Sequence, residues 1–199
     1  MKQQTIFRTI FAITLMLGIA VAFLTTIMNG QYGNASLEII TENSSMNLWI
    51  EGIDGESTDV GRENSIDILA YSHSIKNAYN PDRSAGQIIH TPVRIVKFID
   101  KATPKLFEHC TGGTIITGAA AVTLKFYSDP MELNYLTIEL ENAIVVSVNT
   151  YIGSSSSDRP TETVSFTYEK IKWIYHEFDA MGKPVGDVEY QATWPGVIG

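Results

Sequence analysis

The run Val96-Lys97-Phe98-Ile99-Asp100-Lys101-Ala102-Thr103-Pro104-Lys105-Leu106-Phe107-Glu108-His109-Cys110-Thr111-Gly112-Gly113 decides the fold, because it writes a short capped helix into a chain otherwise patterned as strands. Thr103 reads as the N-cap, its hydroxyl placed to accept a first-turn N–H, and Pro104 takes the first helical position, where no N–H is needed. Leu106, Phe107 and Cys110 fall on one face, and Gly112 or Gly113 ends the helix in a left-handed conformation. The segment reads as structural, a helix plugging a β core. His109 beside Cys110 is no dyad, because adjacent helical residues point roughly 100° apart.

Working outward, strand alternation dominates from Met46 onward. Met46, Leu48 and Ile50 alternate with Asn47, Trp49 and Glu51; Ile66, Ile68 and Ala70 with Asp67, Leu69 and Tyr71. Val122, Leu124 and Phe126 alternate with Thr123, Lys125 and Tyr127, and Leu136, Ile138 and Leu140 with Tyr135, Thr137 and Glu139. Two runs differ: Ala143 to Val148 is apolar on both faces, and Ile174 sits opposite Ile171, Trp173 and Tyr175, so these strands need cover on two sides. The helix can cover one of them by burying Leu106 and Phe107, each contributing about 1.5–3 kcal/mol; a neighbouring subunit could cover another. Period slips near Glu141-Asn142 and Glu169-Lys170 predict bulges that bend a sheet toward closure. The expected fold is mainly β: a curled or closed antiparallel β-barrel of about eight to ten short strands with one short α-helix, preceded by an N-terminal hydrophobic helix.

Four segments in register, Phe98 to Leu106, Asp158 to Phe166 (Asp-Arg-Pro-Thr-Glu-Thr-Val-Ser-Phe), Ile171 to Tyr175, and the turn Gly182-Lys183-Pro184, make the stretch from Met46 to Trp194 resemble the haemolysin-coregulated protein (Hcp) family, the tube subunits of type VI secretion systems. The resemblance implies a similar barrel, self-assembly into hexameric rings that can stack into tubes, and a lumen that carries protein cargo. The long loop Lys76 to Thr91 ends in an apolar Ile88-Ile89 that a mere surface loop does not need. In relatives the corresponding loop reaches a neighbouring ring, which implies a stacking role here; a disordered excursion is the alternative. Tyr79, Ile88 and Ile89 on this loop, with Val145 and Ile174 on the two-faced strands, are the candidate inter-subunit residues. Gly153 to Asp158 reads as a flexible connector.

The resemblance does not cover the N-terminus. Thr9 to Met28 carries no charge and follows Lys2 and Arg8, with no basic residue after it until Arg62, which orients everything past Met28 across a membrane. The run is about 20 residues, longer than a usual signal-peptide apolar region and long enough to span. Gly33-Asn34-Ala35 offers small residues at the positions a signal peptidase inspects, so three readings stand: export with cleavage before Ser36, anchoring through residues 9–28, or a buried helix of the fold. The expected organisation is a signal peptide or anchor over 1–35, a linker over 36–45 and the Hcp-like domain over 46–199. The sequons at Asn34 and Asn43 matter only in a host that glycosylates exported proteins.

The single cysteine, Cys110, excludes an internal disulfide. Without Lys2 and Arg8, 12 basic residues remain against 22 acidic, a formal charge of −10. Such a surface repels phosphate backbones, and no basic cluster interleaves with aromatics, so nucleic acid is not an expected partner.

Chemistry is missing from the inventory. His73, His90, His109 and His176 show no metal-ligand spacing, Gly112-Gly113-Thr114 lacks the lysine of a phosphate loop, and there is no nucleophile elbow. Asp54-Gly55-Glu56-Ser57-Thr58-Asp59 lacks EF-hand spacing and reads as a hairpin turn at Asp54-Gly55. No enzyme, cofactor or metal is expected. The leading expectation is a non-catalytic structural protein forming rings, exported or tethered outside the cytoplasm. The alternative is a monomeric exported binding module presenting Trp49, Tyr79 or Tyr151 to a carbohydrate or surface partner.

Overall fold

A computed structural model describes residues 45–78, 86–129, 131–153 and 159–194. The hydrophobic segment expected over residues 9–28, Tyr79 and the tip of the serine-rich connector lie outside these residues. Among the described residues twelve strands and one helix follow in order: β1 (Met46–Ile50), β2 (Ile66–Ser72), β3 (Ile75–Asn77), β4 (Ile88–His90), β5 (Val93–Phe98), α1 (Thr103–Gly112), β6 (Ile115–Ile116), β7 (Val122–Ser128), β8 (Leu133–Glu141), β9 (Ala143–Tyr151), β10 (Thr161–Thr167), β11 (Lys170–Phe178) and β12 (Pro184–Thr193). No helix among the described residues is long and apolar enough to cross a membrane.

Ten strands form one antiparallel sheet in the order β12-β11-β8-β7-β1-β2-β5-β10-β9-β6, and β3 and β4 pair only with each other. This corrects the expected barrel. The order has two ends, β12 and β6, and no ladder among the described residues joins them, so the sheet keeps two edges instead of closing. The slips at Glu141-Asn142 and Glu169-Lys170 are strand ends, not bulges: Asn142 turns at φ 50°, and the Glu169 N–H donates to Glu141 O at 2.9 Å. The register shifts fall elsewhere, at Ile68/Ala70, Phe126/Tyr127, Ser165/Phe166 and Glu177/Phe178.

Because side chains alternate faces and ladder partners share a face, the pairing register converts alternation into rows. One row runs Ile50-Val122-Leu140-Ile171-Ala192, the next Leu48-Leu124-Ile138-Trp173-Tyr190, and a third Met46-Phe126-Leu136-Tyr175-Val188. The inner strands of these rows feed the core, which continues through Ile66, Ile68, Val93, Ile95, Val164 and Phe166 to Ala143 and Val145. Leu106 of α1 closes it. Phe107, expected to be buried beside it, is exposed, so the helix inserts one large side chain rather than two.

The helix start also differs from expectation. Ala102 is the N-cap and receives no side-chain cap, while the Thr103 hydroxyl is drawn into the interior, donating to Glu162 Oε1 at 2.9 Å and accepting the Asp100 N–H at 3.2 Å. Asp100 Oδ1 accepts the Ala102 N–H at 2.9 Å instead. Gly113 ends the helix in the left-handed region at φ 58°, its N–H returned to His109 O.

What draws Thr103 inward is the buried carboxylate of Glu162, itself paired with Lys97. Lys97 and Glu162 are opposite one another on β5 and β10, facing the core, and both side chains are 0% exposed. The ammonium lies 2.8 Å from Glu162 Oε1, 2.6 Å from Asp100 Oδ1 and donates to Phe98 O at 2.9 Å. All three donors are satisfied, which a buried ammonium requires. Arg159 stacks over Phe98 at 4.4 Å and Ile99 N–H donates to Pro160 O at 3.0 Å. The described parts of the two segments that carry the resemblance, Phe98 to Leu106 and Arg159 to Phe166, are thus one structural unit.

Between β1 and β2 the chain turns tightly at Glu51-Gly52, closing a bridge between Ile50 and Ile53. Asp54-Gly55 is therefore not the turn. Gly55 is buried against Ser65, and the connection is fastened by Arg62, whose guanidinium donates to Ser45 Oγ, sits 3.2 Å from Asp59 and 3.4 Å from Glu132, and lies over the Tyr127 ring. Burial raises the Tyr127 pKa, and Arg62 partly offsets it.

Candidate functional site

The features that need a partner lie at the sheet's edges. Among the described residues β12 pairs only with β11, so its outer backbone N–H and C=O groups carry no ladder. At the opposite end, β6 covers only Ala143 and Ile144 of β9, leaving the stretch from Val145 to Tyr151 without a second strand among the described residues.

The rows explain the character of the β12 edge. Where they cross β8 and β11 they are buried, at Leu140, Ile138 and Ile171; where they reach the far part of the β11–β12 hairpin they emerge. Tyr175 is 51%, Val188 59% and Tyr190 68% exposed, and Tyr190 stacks on Trp173 at 5.9 Å between ring centres. The hairpin outgrows the core, so a core-type face is presented to water. Polar partners flank it: Lys172 pairs with Glu189 at 2.8 Å, and His176 with Asp187 at 2.8 Å. The Lys172 pKa is raised, chiefly by its bond to Glu189.

The third feature is the β3–β4 extension, which exposes Ile75, Ile88 and Ile89. Of the candidate inter-subunit residues, Ile88 and Ile89 are exposed on β4 of this extension, Tyr79 is outside the described residues, and Val145 and Ile174 are 1% and 8% exposed within the chain. The outward apolar residues on the same two strands are their sequence neighbours Val146 and Tyr175. Val185, Val188 and Tyr190 escaped sequence reading because Asp187 and Glu189 between them make β12 look like an ordinary half-buried strand. Of the aromatics in the binding-module alternative, Trp49 is half-buried beneath the Lys125 ammonium at 5.0 Å, and Tyr151 is exposed next to Ile152. No group of three or more His, Cys, Asp or Glu side chains among the described residues could hold a metal ion.

A family description, "Type VI secretion system effector, Hcp", matches residues 47–175. The chain belongs to the Hcp family. Hcp-family relatives include Protein hcp1 of Pseudomonas aeruginosa, 31% identical over 150 residues that cover 73% of this chain and 91% of the relative, and the Major exported protein of the same organism, 28% identical over 128 residues that cover 61% and 74%. Among solved Hcp structures, Hcp1 from Salmonella typhimurium superposes with a TM-score of 0.62 at 25% identity, covering 75% of this chain and 94% of that one. A mutant form of the Hcp1 protein from the E. coli EAEC 042 pathovar gives 0.58 at 26% identity, covering 76% and 98%. As a member of this tube-protein family the chain is a structural, non-catalytic protein.

Proposed function

We propose that this Hcp protein assembles head to tail with copies of itself into a ring, hexameric by family analogy, and that rings stack through the β3–β4 extension. The observation that carries the reading is the pair of unlike edges: an apolar row emerging on β11–β12 at one end of the sheet, and the partly uncovered β9 at the other. A contact between unlike surfaces repeats from copy to copy and closes when the rotation per subunit divides a full turn. Ile75, Ile88 and Ile89, along the legs of the extension, supply apolar surface for a contact between rings, and protein cargo in the lumen follows from the family alone.

Introducing lysine at Tyr175 and Val188 together tests the ring. Both are more than half exposed, so the fold persists, while two ammonium groups in the contact cost several kcal/mol of desolvation. The wild-type chain is expected to give rings by electron microscopy and a multimeric mass by light scattering, and the Tyr175→Lys, Val188→Lys variant monomers. A wild type that stays monomeric at high concentration, or a variant with intact rings, overturns the reading.

We also infer that the uncharged run Thr9 to Met28, behind Lys2 and Arg8, directs the protein across the cytoplasmic membrane, by cleavage before Ser36 or by anchoring. A relative bearing the words "Major exported protein" agrees with passage out of the cytoplasm. Mass spectrometry of the mature N-terminus distinguishes the two routes; a full-length chain recovered only from the cytoplasm contradicts both.

A further inference from the structure

The two legs of the β3–β4 extension each carry a histidine at the root. His73 precedes β3, and His90 ends β4 opposite Ile75. Both rings reach one atom: the hydroxyl of buried Tyr168, between β10 and β11, lies 2.8 Å from His73 Nε2 and 2.9 Å from His90 Nδ1. Trp194 packs on Tyr168 and His90 at 4.9 and 5.7 Å between ring centres, and Trp173 lies 6.0 Å from His73. Among the described residues the extension joins no ladder of the main sheet, and the Thr91–Ser74 bonds tie its legs only to each other.

A phenol hydroxyl has one proton to give and lone pairs to receive. Both contacts are satisfied when one imidazole donates to the Tyr168 oxygen and the Tyr168 O–H donates to the other imidazole. The Tyr168 proton is thus accepted within the clip only when one ring presents a bare nitrogen. With both protonated, both rings can only donate, the buried Tyr168 proton loses its acceptor among them, and two positive rings sit 6.3 Å apart between centres. We propose that this His73–Tyr168–His90 clip is an acid-sensitive fastener, holding the β3–β4 extension to the sheet while the imidazoles are neutral and releasing it when both take up protons.

The surroundings favour the neutral state. Burial, and then the charge of His90, push the His73 pKa down to about 4, a bond from the Thr91 backbone opposing them; burial also lowers the His90 value. Tyr71, from β2, is the other titratable group acting on Tyr168. The charged side chains on the packed elements are engaged elsewhere: Glu169 with Asn142 at 2.7 Å, Lys170 with Glu141 and Lys172 with Glu189 at 2.8 Å, Asp187 with His176 at 2.8 Å, and Arg94 on β5 is exposed. Both folded values lie below the unfolded 6.5. The fastened state thus binds fewer protons than the released one, so its advantage is complete above 6.5 and is lost as pH falls from there toward the folded values.

Hydrogen exchange on the full chain tests this without reference to assembly, reading protection of residues 74–78 and 87–91 against the β5–β10 ladder as internal standard. After correction for intrinsic rates, protection of the extension is expected to fall by about tenfold or more between about pH 7.5 and about pH 5, with the ladder unchanged. Gln keeps a donor and an acceptor but does not titrate, so the His73→Gln, His90→Gln variant is expected to lose the pH dependence. Tyr168→Phe is expected to lose protection at both pH values. Should a variant fail to fold, NMR titration of the wild-type rings decides: at least one histidine titrates well below 6.5, with shifts at Ile75 and Ile89 following the second proton. Wild-type protection equal at both pH values, pH dependence surviving the double substitution, or two independent titrations at the ordinary histidine value would each overturn the proposal.

Discussion

Replacing Lys97 by methionine is expected to destabilise the fold by about 3–5 kcal/mol, because it removes the one cation from a site holding two carboxylates. Methionine matches the length of the lysine stem, so the loss is electrostatic rather than a cavity. Glu162 is fully buried and Asp100 is 8% exposed, so solvent screens neither carboxylate once the ammonium is gone. For a chain of this size each kcal/mol moves Tm by about 2–4 °C, giving a fall of roughly 6–20 °C in a thermal melt. The companion Lys97→Met, Glu162→Leu is expected to recover much of the loss, since an apolar pair in place of a buried ion pair is often neutral. Urea unfolding of the two variants measures the coupling. A single variant within about 1 kcal/mol of wild type would show that Lys97 does not neutralise the site.

Gly55→Ala is expected to match it, at or above the upper end of the usual cost of about 1–3 kcal/mol for overpacking. A Cβ at this position would lie 2.5 Å from the Ser65 carbonyl carbon and 2.6 Å from Ile66 Cα, with the Ser65 carbonyl oxygen nearer still. These are backbone atoms, so no rotamer change relieves the contact. The strand β2 starts at Ile66, and the Gly55 N–H donates to Asn64 O at 2.7 Å, so moving either side disturbs the β1–β2 connection and the Arg62 fastening with it. Gly52→Ala serves as the comparison: its Cβ would meet nothing within 4 Å, and its cost is that of a left-handed φ of 76° alone, about 1–2 kcal/mol. Equal chemical-denaturation midpoints for the two variants would refute the close-approach argument.

These two residues show where sequence reading stopped. Gly55 was legible as a special position but assigned to a turn, because an Asp-Gly pair has turn chemistry and nothing local shows that another backbone crosses it. Lys97 sits in a strand whose alternation places it with Ile95 and Val93, facing inward; composition alone argues that a lysine turns to water. Its burial is decided by Glu162, brought opposite by the β5–β10 ladder. Thr103 failed as a cap for the same reason, its hydroxyl being worth more to a buried carboxylate than to a helix N–H. Phe107 is exposed because it follows Leu106 by about 100° around the helix axis, off the line that meets the core.

By itself the amino-acid order determined the strand-rich pattern, the site of the helix at Thr103–Gly112 and its glycine stop, and the membership of the Hcp family, because these rest on local periodicity and on motifs contiguous in the chain. Only the tertiary structure decided that the sheet keeps two edges, that the apolar rows emerge from the core on β11–β12, and that His73, His90 and Tyr168 meet at one oxygen. Each depends on which strands become neighbours and in what register, and a register shift of one residue would exchange the buried and exposed faces of a strand without altering a letter of its sequence.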